Sequence, residues 1–214
     1  MDCYIFSGLG ADDRVFQRLD FSGYSITFIE WLTPIENETI EKYASRLLIQ
    51  IKTTRPILMG LSFGGLIAIE VAKQIEVQKV ILLASVKIRR EIPFYFRIAG
   101  LLMLHKPIPV WALKKSNVIT NWIFGAESEF DKQLLKQILM DTDPKLLKWA
   151  IDNIVNWKNK IKINNIFHIH GSNDRLLPIM FVKCDHVVKN GGHLMTLNNS
   201  VELSKILRQH LQVH

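Results

Sequence analysis

Gly60-Leu61-Ser62-Phe63-Gly64 stands between two segments of different periodicity, and that setting decides how the chain is read. Before it, Pro56-Ile57-Leu58-Met59 is a short apolar run that predicts a buried strand. After it, Leu66, Ile67, Ile69, Ala72 and Ile75 recur at helical spacing between Gly65 and Ile75. A serine with glycines at i−2 and i+2, at the corner between a strand and a helix, is a nucleophile-elbow pattern. The chain reverses there too sharply for Cβ atoms beside the serine, and the serine itself is pushed into a strained conformation. In return its Oγ stands clear of the backbone, and the amides that open the helix point toward developing negative charge. Five such residues also occur by chance in ordinary turns; the flanking strand and helix favour the functional reading.

A serine hydroxyl is a weak nucleophile at neutral pH and needs a base that is itself oriented by a third group. With this elbow the partners follow in the order serine, acid, histidine. Asn165 to His170 reads as a buried strand running into Gly171-Ser172-Asn173-Asp174, so Asp174 lies on a loop past a strand's carboxyl end. Open α/β sheets carry their chemistry at such ends. The competing reading of Asp174 is a plain turn residue. Asp141, Asp143 and Asp152 fall in a helical region and Asp185 inside a later strand, so they are weaker candidates. Phe181 to Val188 alternates apolar and polar residues, as a half-exposed edge strand does, and Asn190-Gly191-Gly192-His193 follows it. His193 is therefore the candidate base. His168 and His170 share one strand face but have no third ligand nearby in sequence, so they read as buried, hydrogen-bonded histidines rather than metal ligands. His105, His186, His210 and His214 read as surface or helix residues.

Together these residues resemble the α/β-hydrolase family over nearly the whole chain. Phe6-Ser7-Gly8-Leu9-Gly10, straight after the strand Cys3-Tyr4-Ile5, is similar to the family's oxyanion loop, with Ser7 where histidine is usual. His170-Gly171-Ser172-Asn173-Asp174, with Pro178 shortly after, looks like the family's acid loop, and Gly192-His193 like its histidine loop. The resemblance implies Ser62, His193 and Asp174 as catalytic residues and the amides of Leu9 and Phe63 as oxyanion donors. It also implies a sheet without the family's first two strands, because only Met1 and Asp2 precede the first strand seen here.

The remaining pattern is α/β. Strands are expected near 3–7, 25–31, 56–61, 77–84, 165–170 and 182–188, and helices near 14–19, 39–51, 64–75 and 200–210. This alternation predicts a mostly parallel, doubly wound sheet of about six strands with helices on both faces. The core would comprise 1–86 and 161–214, and 87–160 would be a helical cap inserted in it, at the point where the family places one. Asp143 as N-cap and Pro144 at the first helical position announce one cap helix, and Glu127 to Met140 a second. Ile92 to Phe124 is rich in aromatic and aliphatic residues, which either dock the cap or wall an apolar acyl or aryl pocket, with Trp111 and Trp122 as pocket candidates. A membrane-surface helix is a third reading of this run, given Arg97, Lys106, Lys114 and Lys115 beside it.

Composition sets the outer bounds. A chain of 214 residues with 48% apolar and 22% charged residues suits one globular domain. The two cysteines, Cys3 and Cys184, fall within expected strands and read as small buried hydrophobes, not as a disulfide. No secretory leader is visible and the apolar runs are too short to span a bilayer, so a cytoplasmic location is expected. The net charge of +7 is scattered, without a nucleic-acid-binding motif or interleaved aromatics. The expected activity is hydrolysis of a carboxylic ester or thioester with a small to medium apolar acyl or aryl group. It needs a small-molecule substrate, no cofactor, no metal and no nucleic acid. The alternative is a lyase or a ligand receptor using the same pocket.

Overall fold

A computed structural model describes residues 1–211 of the protein. Among these, six strands form one parallel sheet: β1 (Asp2–Phe6), β2 (Ser25–Phe28), β3 (Ile57–Leu61), β4 (Lys79–Leu83), β5 (Ile166–Gly171) and β6 (His186–Val188), in the order β2-β1-β3-β4-β5-β6. Every pairing is parallel. The central strands read as continuous apolar runs because both faces are covered. Tyr4, Phe6, Leu58, Val80 and Leu82 point into one core, and Cys3, Ile5, Ile57, Met59, Ile81 and Leu83 into the other.

The helices are α1 (Ile40–Leu47), α2 (Phe63–Ala72), α3 (Phe94–Leu101), α4 (Val110–Leu113), α5 (Val118–Phe124), α6 (Glu129–Asp141), α7 (Pro144–Asn156), α8 (Met195–Asn198) and α9 (Ser200–Leu211). Helix α2 follows the elbow and is buried from Phe63 to Val71. It packs with α1 and α7 on the first core; α8 and α9 cover the second. Helices α3 to α7 all lie between β4 and β5, and no strand interrupts them in the described residues. Asp143 caps α7 through the Leu146 amide at 2.8 Å, with Pro144 at its first position. Helix α6 starts two residues later than expected, at a capping box of Ser128 and Asp131.

Several boundaries differ from the sequence expectation for identifiable reasons. Strand β2 stops at Phe28, and the Tyr43 hydroxyl then takes both the amide and the carbonyl of Leu32. The expected helix at 14–19 is a short 3-10 turn, Asp13–Phe16, capped by Asp12. The expected strand at 182–188 shrinks to three residues at the sheet edge. Asp185 therefore precedes the strand, and its carboxylate accepts the His168 amide at 2.8 Å in place of a backbone carbonyl. Cys184 likewise lies outside the strand and is only half-buried, whereas Cys3 is fully buried and burial pushes its thiol up to about 12.

Candidate active site

The elbow has the backbone its sequence demands. Ser62 sits at φ 53°, ψ −121°, a region that side-chain-bearing residues avoid. A Cβ on Gly64 would be driven into the carbonyl oxygens of Phe6 and Ser7, so the start of α2 lies directly against the loop that follows β1. Gly60 meets the backbone of Gly64 and Gly65 in the same way. Ser85, two residues past β4, lies where a Cβ on Gly65 would project and donates its hydroxyl to the Ser62 carbonyl at 2.7 Å.

Three loops past strand ends converge on this corner. His193 Nε2 lies 2.9 Å from Ser62 Oγ, and His193 Nδ1 lies 2.8 Å from Asp174 Oδ2. With the ring proton donated from Nδ1 to the carboxylate, Nε2 is left to accept the serine hydroxyl. Asp174 Oδ1 accepts the amides of Leu176 and Leu177 at 3.0 and 2.8 Å, so the same residue also organises its turn. Burial alone would raise the Asp174 carboxyl, but the nearby His193 and these hydrogen bonds together hold it below the usual carboxylate range. Asp174 and His193 are both buried, whereas Ser62 keeps partial exposure. The arrangement can move a proton from a hydroxyl to an imidazole whose cationic form a fixed carboxylate stabilises.

The loop after β1 approaches Ser62 closely: an added Cβ at Gly8 would touch the Ser62 Cβ at 3.7 Å. Leu9 follows Gly8, and Phe63 occupies the first position of α2, where the helix supplies no acceptor for its amide. Ser7, the departure from the usual histidine, braces this loop in its own way. Its hydroxyl donates to the Ala11 carbonyl at 2.5 Å and accepts the Trp31 indole at 3.0 Å.

The other candidate acids are engaged elsewhere. Asp141 pairs with Arg14 at 2.8 Å, Asp143 caps α7, Asp152 pairs with His105 at 2.7 Å and Asp185 braces β5. The histidines partly depart from expectation. His105 is not a surface residue: its side chain is 8% exposed and tied to α7 through Asp152. His170 is buried and donates from Nε2 to the Leu177 carbonyl at 2.8 Å, as a hydrogen-bonded core histidine should. His168 is equally buried, yet neither ring nitrogen finds a partner among the described residues. Burial, the adjacent His170 and Lys87 hold it well below the ordinary histidine range, so it is neutral. His186 is half-buried in β6, His210 stacks on Phe167 at 3.8 Å, and His214 lies outside the described residues. No group of three potential metal ligands forms among the described residues.

Trp111 and Trp122 do not line an enclosed chamber: they are 70% and 59% exposed. The Arg175 guanidinium lies over the Trp122 ring at 4.6 Å. Sequence reasoning missed the aromatic residues that do sit beside the elbow. Trp31 and Trp149 flank the Phe63 ring at 5.6 and 6.0 Å, and the Trp149 indole is fixed to the Glu38 carbonyl at 2.7 Å. Trp149 falls on the buried face that Leu146 and Ala150 mark, which is the signal that was available. Phe124, at the end of α5, meets the His193 ring edge-on at 5.7 Å.

Comparison with solved structures decides the architecture. A bromoperoxidase from Bacillus anthracis superposes with a TM-score of 0.74 at 18% identity, covering 99% of this chain and 92% of that one. An esterase from Exiguobacterium antarcticum gives 0.73 at 18% identity, covering 100% and 92%. The chain has the α/β-hydrolase fold. A thermophilic esterase from Thermogutta terrifontis gives 0.71 at 13% identity, covering 99% and 89%. The sequence matches no protein-family model and no curated protein. Within the α/β-hydrolase fold, β3, α2 and the loops after β1, β5 and β6 supply the residues that meet at Ser62. No helix among the described residues is long and apolar enough to cross a membrane.

Proposed function

We propose that the protein is a serine hydrolase acting on carboxylic esters or thioesters with a small to medium apolar acyl or aryl group. The observation that carries this reading is the unbroken relay from Ser62 Oγ through His193 to Asp174, at 2.9 and 2.8 Å. Ser62 attacks the carbonyl carbon while His193 Nε2 takes the hydroxyl proton, and Asp174 holds the imidazolium in place. The amides of Leu9 and Phe63 receive the developing oxyanion. Collapse of the tetrahedral intermediate expels the alcohol or thiol, which His193 protonates. Water then repeats the sequence on the acyl-enzyme, releasing the acid and restoring Ser62. No cofactor or metal enters any step.

Residues 87–160 act as a helical cap over this site in the same reading, with Phe124 and Trp122 at its edge. The loop contacts support that role: the Leu194 amide donates to the Phe124 carbonyl at 3.2 Å, and Asn198 donates to the Gly125 carbonyl at 2.7 Å. The free cysteines suit a reducing compartment such as the cytoplasm. Labelling with a fluorophosphonate, followed by p-nitrophenyl esters from acetate to decanoate, tests the function. Adduct at Ser62 alone, lost in Ser62→Ala, supports it; adduct at another serine, or none in folded protein, overturns it.

A further inference from the structure

The helices between β4 and β5 expose apolar side chains that neither the site nor the core uses. Leu101 is 76% exposed and Val118 84%, and Leu104, Trp111 and Ile119 are exposed with them. Single exposed hydrophobes are ordinary; a run of them on one segment is a candidate interaction surface. Helices α3 and α4 both pack on α7, and hydrogen bonds from Ser116 to Asn121 and from Thr120 to the Lys115 carbonyl tie the start of α5 to the turn that follows α4.

Charge selects the occupant. From Ile92 to Ala126 the sequence holds Arg97, Lys106, Lys114 and Lys115 and no aspartate or glutamate. Among the described residues, none of these four cations has a carboxylate within ion-pair distance. Lys114 bonds only a neutral carbonyl, that of Met140 at 2.9 Å. A second copy is a poor fit, because a two-fold contact would press the same cationic segment against itself. An anionic lipid surface satisfies both features at once: basic side chains meet headgroups while leucine, isoleucine and tryptophan enter the acyl boundary.

We propose that the α3–α5 surface docks the protein onto anionic phospholipid. The docking face continues into the candidate active site, because α5 ends at Phe124 against His193. Docked this way, the protein would hold Ser62 close to lipid-dissolved acyl substrates. The docking itself needs no turnover, so its test does not depend on the proposed hydrolysis.

The full chain carrying Ser62→Ala is sedimented with phosphatidylcholine vesicles, with and without about one third phosphatidylglycerol, at low salt and at about 0.5 M salt. Expected are at least about ten-fold stronger binding to the anionic vesicles, a blue shift of tryptophan emission on binding, and loss of binding at high salt. Lys106→Gln and Lys115→Gln should each weaken binding about five-fold. Leu101→Asp/Val118→Asp should remove it with circular dichroism unchanged; if that variant misfolds, the two glutamine variants decide. Equal binding to neutral and anionic vesicles, no binding, or unaltered binding by the glutamine variants overturns the proposal. Sedimentation equilibrium showing a dimer that Leu101→Asp dissociates would also overturn it, assigning the surface to a second copy.

Discussion

Asp174 and His193 are joined through one carboxylate oxygen only: Oδ2 meets Nδ1 at 2.8 Å, while Oδ1 takes the amides of Leu176 and Leu177. The residue is thus a turn organiser and a partner of the candidate base together. Asp174→Asn disturbs both roles, since an amide presented to Nδ1 favours the wrong tautomer. Ester turnover should fall on the order of 10⁴-fold, with KM little changed. Asp143→Asn and Asp185→Asn should keep activity within about three-fold, because their hydrogen bonds go to the Leu146 and His168 amides and not to Ser62, His193 or Asp174. Steady-state kinetics on the three variants check this.

Ser62 stores backbone strain that glycine does not feel. At φ 53°, ψ −121°, Ser62→Gly relieves the Cβ conflict and Ser62→Ala retains it. Both should be inactive, but Ser62→Gly should be the more stable of the two by about 1 kcal/mol. Urea unfolding of the pair measures the difference, and equal midpoints would mean that the elbow is unstrained.

Gly64 tests the contact between α2 and the loop after β1. Its added methyl would strike two backbone carbonyls, of Phe6 and Ser7, which cannot rotate away. Gly64→Ala should cost about 3 kcal/mol or more and yield little soluble protein. Gly192→Ala, whose nearest neighbour would be the Gly125 Cα at 3.5 Å, should fold normally. Soluble yield and thermal midpoint separate the two.

Neutral buried histidines make stability pH-dependent. The folded pKa values of His168 and His170 are both depressed, so the unfolded chain takes up protons that the folded chain refuses. The stability is therefore full above about pH 6.5, the unfolded value, and falls as pH drops below it. His168→Leu, which replaces a ring with no hydrogen-bond partner among the described residues by an apolar side chain of similar size, should reduce that slope by about 1.4 kcal/mol per pH unit. Urea midpoints between about pH 5 and 8 report it.

The two sets of aromatics should separate in a p-nitrophenyl ester series. Trp149 supports the Phe63 ring and is fixed by Glu38, so Trp149→Ala should lower kcat about ten- to one-hundred-fold by loosening the elbow. Trp111 stands in solvent, and Trp111→Ala should leave the acyl-length profile within about two-fold. A shifted optimum in Trp111→Ala would return that residue to the pocket.

What the sequence determined by itself was local and periodic. Alternating strand and helix signals fixed a parallel sheet, because a buried strand and an amphipathic helix each carry their own repeat over several residues. The glycines around Ser62 and the caps at Asp143 could be read for the same reason: each answers a steric or hydrogen-bonding need within three or four residues. Asp174 and His193 are candidates by their positions after strands, whereas Leu9 is one only through the family resemblance of its loop. Only the tertiary structure brought His193 to 2.9 Å from Ser62, a pairing across 131 residues. It also decided which side chains the core had room for. It buried His168 with no ring partner among the described residues, drew His105 onto Asp152, left Asp185 ahead of β6 to accept the His168 amide, and set Trp149 rather than Trp111 beside the elbow. Apolar composition says that a side chain gains by leaving water, but whether it does depends on what packs against it. From Leu101 to Trp122 little does, which no periodicity in the chain announces.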